Sequence, residues 1–187
     1  MSQILRCGWV NLNNPLYAIY HDEEWGRPVY DDKILFEFLV LEWAQAWLSW
    51  ETILNRRAWY REVLFDFDVK KCSQLSDNEL ENILQDERII RNKLKVFSVR
   101  KNAQVFREIQ KEFGSFSSYL WWFTWEKQIV NYPKTPSEVP VKTELSEKIS
   151  EDLKKRGMSF VGSTIIYAYL QAVGVVDDHR VDCFCKK

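Results

Sequence analysis

The sequence predicts an all-α fold, and three observations carry that expectation. Apolar residues recur at helical spacing along most of the chain, side-chain caps stand at the starts of those stripes, and no run alternates apolar and polar residues as a half-buried strand would. Residues 1–187, of which 46% are hydrophobic, suffice for one sizeable core, and no internal repeat or low-complexity segment divides them, so the whole chain reads as a single domain.

The elements follow in order. After a loop from His21 to Tyr30, Asp31 and Asp32 open a helix in which Leu35, Phe38, Leu39, Glu42 and Ala46 share one face, so a carboxylate lies on an apolar stripe. Ser76-Asp77-Asn78-Glu79 is a capping box; it opens a helix that buries Leu80, Ile83 and Leu84 and breaks near Asp86. From Asn92 a longer stripe runs through Val96, Val99, Ala103, Phe106 and Phe113 to Gly114. Two helices thus flank a short connection at Asp86 to Ile90. Pro133, Pro136 and Pro140 make Tyr132 to Val141 a linker packed on the surface rather than a domain boundary. Thr143 caps a helix with Lys154, Lys155 and Arg156 in its last turn before Gly157, and a final helix spans Ser163 to Ala172.

Charge and composition narrow the function. With 26 Lys+Arg against 27 Asp+Glu the formal charge is −1, which excludes a strongly basic nucleic-acid-coating protein but leaves room for DNA binding through a local patch. The first residues lack a basic region followed by an apolar one, and no stretch approaches the roughly 18 apolar residues of a membrane span, so a cytoplasmic monomer with no membrane partner is expected. Cysteines at 7, 72, 183 and 185, with histidines at 21 and 179, suggest metal before disulfide in that compartment.

Three constellations bear on chemistry. Cys7, His21, His179 and Cys183 form a Cys2His2 set whose second pair is H-x3-C, suited to a closed structural zinc; Cys185 offers H-x5-C instead. The same residues also read as small buried thiols and ordinary histidines, and spacing leaves both readings open. Glu42 is either a buried carboxylate with a raised pKa and a task, or a structural residue satisfied by Arg or Tyr partners. Trp9, Tyr17, Tyr20, Trp25 and Trp50 cluster around its helix in sequence, as core or as a cage for a flat cation. Arg88, Ile90, Arg91 and Lys93, with Lys95, surround the start of the second hairpin helix, where backbone amides could take a DNA phosphate or a basic turn could simply be solvated.

Together these segments resemble the DNA-3-methyladenine glycosylase I family. The matching pieces are R-C-G-W at Arg6 to Trp9, P-L-Y-x-x-Y-H-D-x-E-W-G at Pro15 to Gly26, L-E-x-x-Q-A-x-L-S-W at Leu41 to Trp50, I-I-R-N at Ile89 to Asn92, K-K-R-G-x-x-F-V-G-x-T at Lys154 to Thr164, and D-H-x-V-x-C at Asp178 to Cys183. The resemblance implies a helical domain of the helix-hairpin-helix glycosylase type, a monofunctional base-excision repair enzyme that flips 3-methyladenine out of alkylated double-stranded DNA and hydrolyses its N-glycosidic bond without a lyase step. It implies structural Zn2+ on Cys7, His21, His179 and Cys183, a base pocket built from Tyr20, Trp25 and Trp50, with Trp9 and Tyr17 beside them, and Glu42 as the carboxylate that meets the base. N3-methylation makes adenine cationic and a good leaving group, so recognition of charge can replace strong acid catalysis.

The chain departs from the family pattern at tryptophans. Trp43 and Trp47 stand where the family has glycine beside Glu42, and Trp59 and Trp125 fall where relatives often have glycine. Filling of the pocket by Trp43 and Trp47 would leave a catalytically silent, zinc-stapled DNA-binding paralogue; a helical scaffold with neither activity is a third class. Gly occurs 6 times and Trp 9 times, which a glycine codon read as tryptophan would explain and real divergence would explain equally. Arg88 replaces a glycine that many relatives carry in the hairpin.

Overall fold

A computed structural model describes residues 4–186. The five anticipated helices are all present: α2 (Asp32–Gln45), α6 (Asp77–Gln85), α7 (Lys93–Phe113), α9 (Glu144–Lys155) and α10 (Ser163–Ala172). Their caps are those the sequence carries. Asp31 accepts from the Lys33 and Ile34 amides, Ser76 and Glu79 close a reciprocal capping box, and Asn92 and Thr143 cap α7 and α9. Asp32 does something else. Its carboxylate reaches past its own helix to accept from the Phe116 and Ser117 amides at 2.8 Å, capping the start of α8 (Phe116–Trp122), and from Gln110 Nε2 at 2.7 Å. One side chain thereby joins α2, the end of α7 and α8.

α2 is the centre of the molecule. Every residue from Leu35 to Ala44 is buried, so the helix is covered all round rather than on one stripe. It packs against α3 (Trp50–Leu54), α7, α8 and α10. Burial of Glu37 on this helix is offset by Arg57 and Arg61, whose Nε atoms lie 2.7 and 2.8 Å from its Oε1. The short helices α1 (Pro15–Ile19), α3, α4 (Arg57–Val63), α5 (Val69–Gln74) and α8 lack enough turns to show a period, and the sequence reading passed over them.

Two segments differ in kind from the expectation. α1 continues into a wider π turn over Tyr20–Glu24, closed by the Trp25 amide donating to the Tyr20 carbonyl at 2.9 Å, so the start of the supposed loop is helical. β1 (Ile129–Val130) and β2 (Val176–Asp177) pair in parallel, Ile129 beside Val176, a two-strand ladder too short to leave an alternating signature. The fold is therefore mostly helical with one small parallel ladder. Among the described residues no helix is long and apolar enough to cross a membrane.

The chain from α10 into β2 packs on the segment after Trp25. Gly26 and Val29 donate backbone amides to Gln171 and Val173 at 2.9 and 3.1 Å. At Gly174, with φ +68°, a Cβ would lie 2.1 Å from the Arg27 carbonyl carbon, a backbone atom that cannot swing aside. Gly174→Ala is expected to lower stability by about 2–4 kcal/mol in urea unfolding; an unchanged midpoint would show that the two segments are not held at this spacing.

Candidate active site and metal centre

A cavity of about 340 Å³ opens beside the C-terminal end of α2. Its wall gathers Trp9, Tyr17, Tyr20 and Trp25 from the N-terminal segment, Glu42 and Gln45 from α2, and Trp50 from α3. All five aromatic residues singled out in sequence thus share one space with the one carboxyl singled out beside them. Sequence reading missed the opposite wall: Pro136 and Val139 from the proline linker, Ala168 and Gln171 from α10, and Asp178 and Arg180 beyond β2. That linker looked like surface; its contribution depends on where the fold lays it and leaves no motif. The rings support one another: Tyr20 and Trp50 have centroids 5.1 Å apart, Trp9 and Trp25 5.0 Å, and Trp9 and Tyr17 5.4 Å.

Glu42 is 4% exposed, and its Oε2 is buried with no hydrogen-bond partner. Neither the arginine nor the tyrosine partner of the structural alternative satisfies that oxygen. Burial alone pushes the carboxyl up to about 8, so near neutrality it is chiefly protonated while the cavity is empty. Asp178, by contrast, is saturated: it accepts from Tyr167 Oη at 2.6 Å and from Gln171 and Asn131 at 2.7 Å. The free carboxyl oxygen in this wall belongs to Glu42.

The π turn that delivers Tyr20 to the cavity delivers the next side chain, His21, to a buried cluster behind it. Donor atoms of His21, His179, Cys183 and Cys185 all lie within 4.8 Å of one another, a set that could hold a metal ion. Each histidine is oriented by a carboxylate. His21 Nδ1 is 2.7 Å from Asp22 Oδ1, and His179 Nδ1 is 2.8 Å from Asp177 Oδ1. This leaves both Nε2 atoms for the cluster; that of His179 is buried without a partner, and that of His21 lies 3.5 Å from Cys183 Sγ. Burial also lowers the pKa of His21, favouring the neutral ring that a metal requires. Cys7 is buried beside the cluster, its amide 3.4 Å from His21 Nε2, whereas Cys185 approaches His21 at the Nδ1 side, at 4.0 Å. The donor chemistry fits a zinc ion.

Comparison with known proteins decides the family. Residues 9–186 match the family model described as Methyladenine glycosylase. The chain belongs to the methyladenine glycosylase family. It is 42% identical over 181 residues to the DNA-3-methyladenine glycosylase of Haemophilus influenzae, covering 97% of each chain. Identity is also 42%, over 180 residues and 96% of each chain, to DNA-3-methyladenine glycosylase 1 of Escherichia coli K12. A crystal structure of 3-methyladenine DNA glycosylase I superposes with a TM-score of 0.94 at 37% identity, covering 98% of this chain and 100% of that one.

For the tryptophans beside Glu42, which stand where the resemblance places glycine, the structure corrects the expectation that they fill the pocket. Neither lines the cavity. Trp43 points away from it and is 1% exposed in the core, beside Val40, Tyr60, Ile89 and Val96, while Trp47 stands 101% exposed on a turn. The basic residues of the hairpin are also less free than their sequence suggested. Arg88 pairs with Glu62 and Asp86, Arg91 with Glu87 and Lys93 with Glu81, while the Ile90 amide donates to Tyr60 Oη at 3.1 Å. A phosphate arriving at this connection would have to exchange with those carboxylates.

The raised pKa of Glu42 has a measurable sign. A carboxyl that ordinarily titrates at 4.5 but at about 8 in the folded chain binds its proton more tightly when folded. Stability is therefore full below the ordinary value and falls as pH rises towards 8. Glu42→Gln removes this loss: relative to the unaltered chain it should gain on the order of 3 kcal/mol between pH 5 and 8, with no further gain above. Parallel pH profiles of unfolding for the two proteins would show instead that Glu42 titrates normally.

Proposed function

We propose that the chain excises 3-methyladenine from alkylated double-stranded DNA by hydrolysing the N-glycosidic bond. The observation that carries this reading is a ring-walled cavity with one buried, unpartnered carboxyl oxygen, in a member of the methyladenine glycosylase family. A flipped alkylated purine is flat and cationic, and the cavity offers faces for the ring and a carboxyl for the charge. Tyr20 and Trp50 take the faces, each cation–π contact contributing roughly 0.5 to 2 kcal/mol. Trp25, Trp9 and Tyr17 complete the enclosure.

Glu42 ionises as the cation enters, because a positive charge a few ångströms away reverses the balance that burial sets in the empty cavity. The carboxylate then accepts from the base edge and offsets its charge. The methylated base departs as a neutral leaving group, so no strong acid is needed to protonate it. Among the described residues no lysine lines the cavity, and the reading takes water rather than an amine as the nucleophile. Arg88, Ile90, Arg91 and Lys93 are the DNA-facing positions of this reading, at the connection between α6 and α7.

Release of free 3-methyladenine from methylated duplex DNA tests the assignment. The chain should release it, and Glu42→Gln should be slower by about 10- to 100-fold, the loss of one charged hydrogen-bond acceptor. Equal rates would remove Glu42 from the site, and absence of release by the folded chain would overturn the enzyme reading.

The metal proposal is structural Zn2+ held by Cys7, His21, His179 and Cys183. Support for Cys7 over Cys185 comes from tautomer geometry: Asp22 engages the His21 nitrogen that Cys185 approaches, while the opposite Nε2 lies beside the Cys7 backbone amide and Cys183 Sγ. A closed set of four ligands supplies no open position for water, so the ion would join the two ends of the chain rather than act on the substrate. Elemental analysis should find about one zinc per chain, retained in Cys185→Ser and lost in Cys7→Ser; the opposite pattern would make Cys185 the ligand.

A further inference from the structure

Two tryptophans occupy backbone positions that belong to glycine. α2 ends in a turn from Gln45 to Leu48, closed by the Leu48 amide donating to the Gln45 carbonyl at 2.6 Å. Ala46 has φ −42° and ψ 120°, and Trp47 has φ 73°. This is a type II turn with Trp47 at its third residue, where φ must be positive and glycine is the usual occupant. After α8, the Glu126 amide donates to the Trp121 carbonyl at 3.0 Å and the Trp125 amide to the Trp122 carbonyl at 3.2 Å. That pair of bonds is a Schellman closure, and Trp125, with φ 55°, is its left-handed residue.

The chain itself contains the comparison. After α9, the Met158 amide donates to Leu153 and the Gly157 amide to Lys154, both at 2.9 Å, the same two bonds in the same order. There the left-handed position is Gly157, with φ 104°. Nothing in the surroundings holds an indole at 47 or 125. Trp47 and Trp125 are 101% and 81% exposed, the most exposed large apolar side chains among the described residues. Of the other non-glycine residues with positive φ, Phe67 is buried, Asp66 pairs with Lys33 and Phe65 lies under Lys71, while Phe160 and Glu126, the latter following Trp125 in the same closure, are exposed. Trp25, Trp50 and Trp121 are all buried in regular surroundings, and the Trp121 indole donates to the Val29 carbonyl.

We infer that positions 47 and 125 are glycine in the protein as its own cell makes it, each encoded by a UGA that the cell reads as glycine and that is here read as tryptophan. The inference rests on backbone geometry and stands apart from the enzymatic reading. It also fits 6 glycines against 9 tryptophans in 187 residues. The gene and the melting behaviour test it together. UGA is expected at 47 and 125 and UGG at Trp25, Trp50 and Trp121, and peptide mass spectrometry of protein purified from the source cell should read glycine at 47 and 125. UGG at both positions, or tryptophan in those peptides, overturns the inference. Trp47→Gly and Trp125→Gly should each raise the melting temperature by roughly 2–4 °C, because a side chain no longer has to adopt a left-handed backbone. Trp47→Ala and Trp125→Ala keep a Cβ there and should gain less. Alanine equal to glycine would mean that the backbone asks for nothing special, and would sink the geometric argument.

Discussion

The contact between the two ends of the chain is the constraint on which the site depends. His21 and His179 face each other across the buried thiol cluster, with ring centroids 5.1 Å apart, and each is braced by its own aspartate. The neighbours of these histidines in sequence are the walls of the cavity: Tyr20 precedes one, Asp178 and Arg180 flank the other. A shift between the two terminal segments would therefore change the cavity and the cluster together. The same registry is enforced farther along by Gly174 against Arg27 and by the β1–β2 ladder, which fixes Asp177 two residues before His179. A metal at the cluster would add free energy to a contact that backbone packing already aligns.

The division between what the residues revealed and what they concealed follows from the range of the forces involved. Long helices with local caps were legible, because Ser76, Glu79, Asn92 and Thr143 act within one turn of themselves. Asp32 looked like a cap for its own helix and instead caps α8, a pairing across the chain that no local pattern encodes. The five-residue π turn at Tyr20 and the two-residue strands are set by what packs on them. In the site, Glu42 and the aromatic residues were visible because a carboxyl on an apolar stripe is locally anomalous. Pro136, Val139 and Gln171 carried no anomaly. The expectation that Trp43 would enter the pocket failed for a helical reason: one position beyond Glu42 turns the side chain by roughly 100°, into the core rather than the cavity, while Trp47 lies past the end of α2 on an exposed turn.

The hairpin shows that residue type overstates function more readily than geometry does. Arg88, Arg91 and Lys93 each have an acidic partner, which accords with a formal charge of −1. Exposed pairs of this kind contribute little to stability, so their exchange for phosphates costs little as well. Under the proposed activity, such a surface would attract DNA weakly at long range and leave discrimination to the cavity.

Under the proposed activity, discrimination there follows from the protonation state of Glu42. A permanently ionised carboxylate would be hidden at great cost in an aromatic enclosure, and the chain avoids that cost by letting burial hold the proton. An undamaged, neutral purine entering this space meets a neutral carboxyl and gains no ion pair. A cationic purine meets a group with a pKa of about 8, close enough to neutrality that giving up the proton costs only on the order of 1 kcal/mol at pH 7. Under the proposed activity, the charge that alkylation creates is then what converts the site from its resting form to its binding form. Selection for damage lies in that conversion as much as in the shape of the cavity.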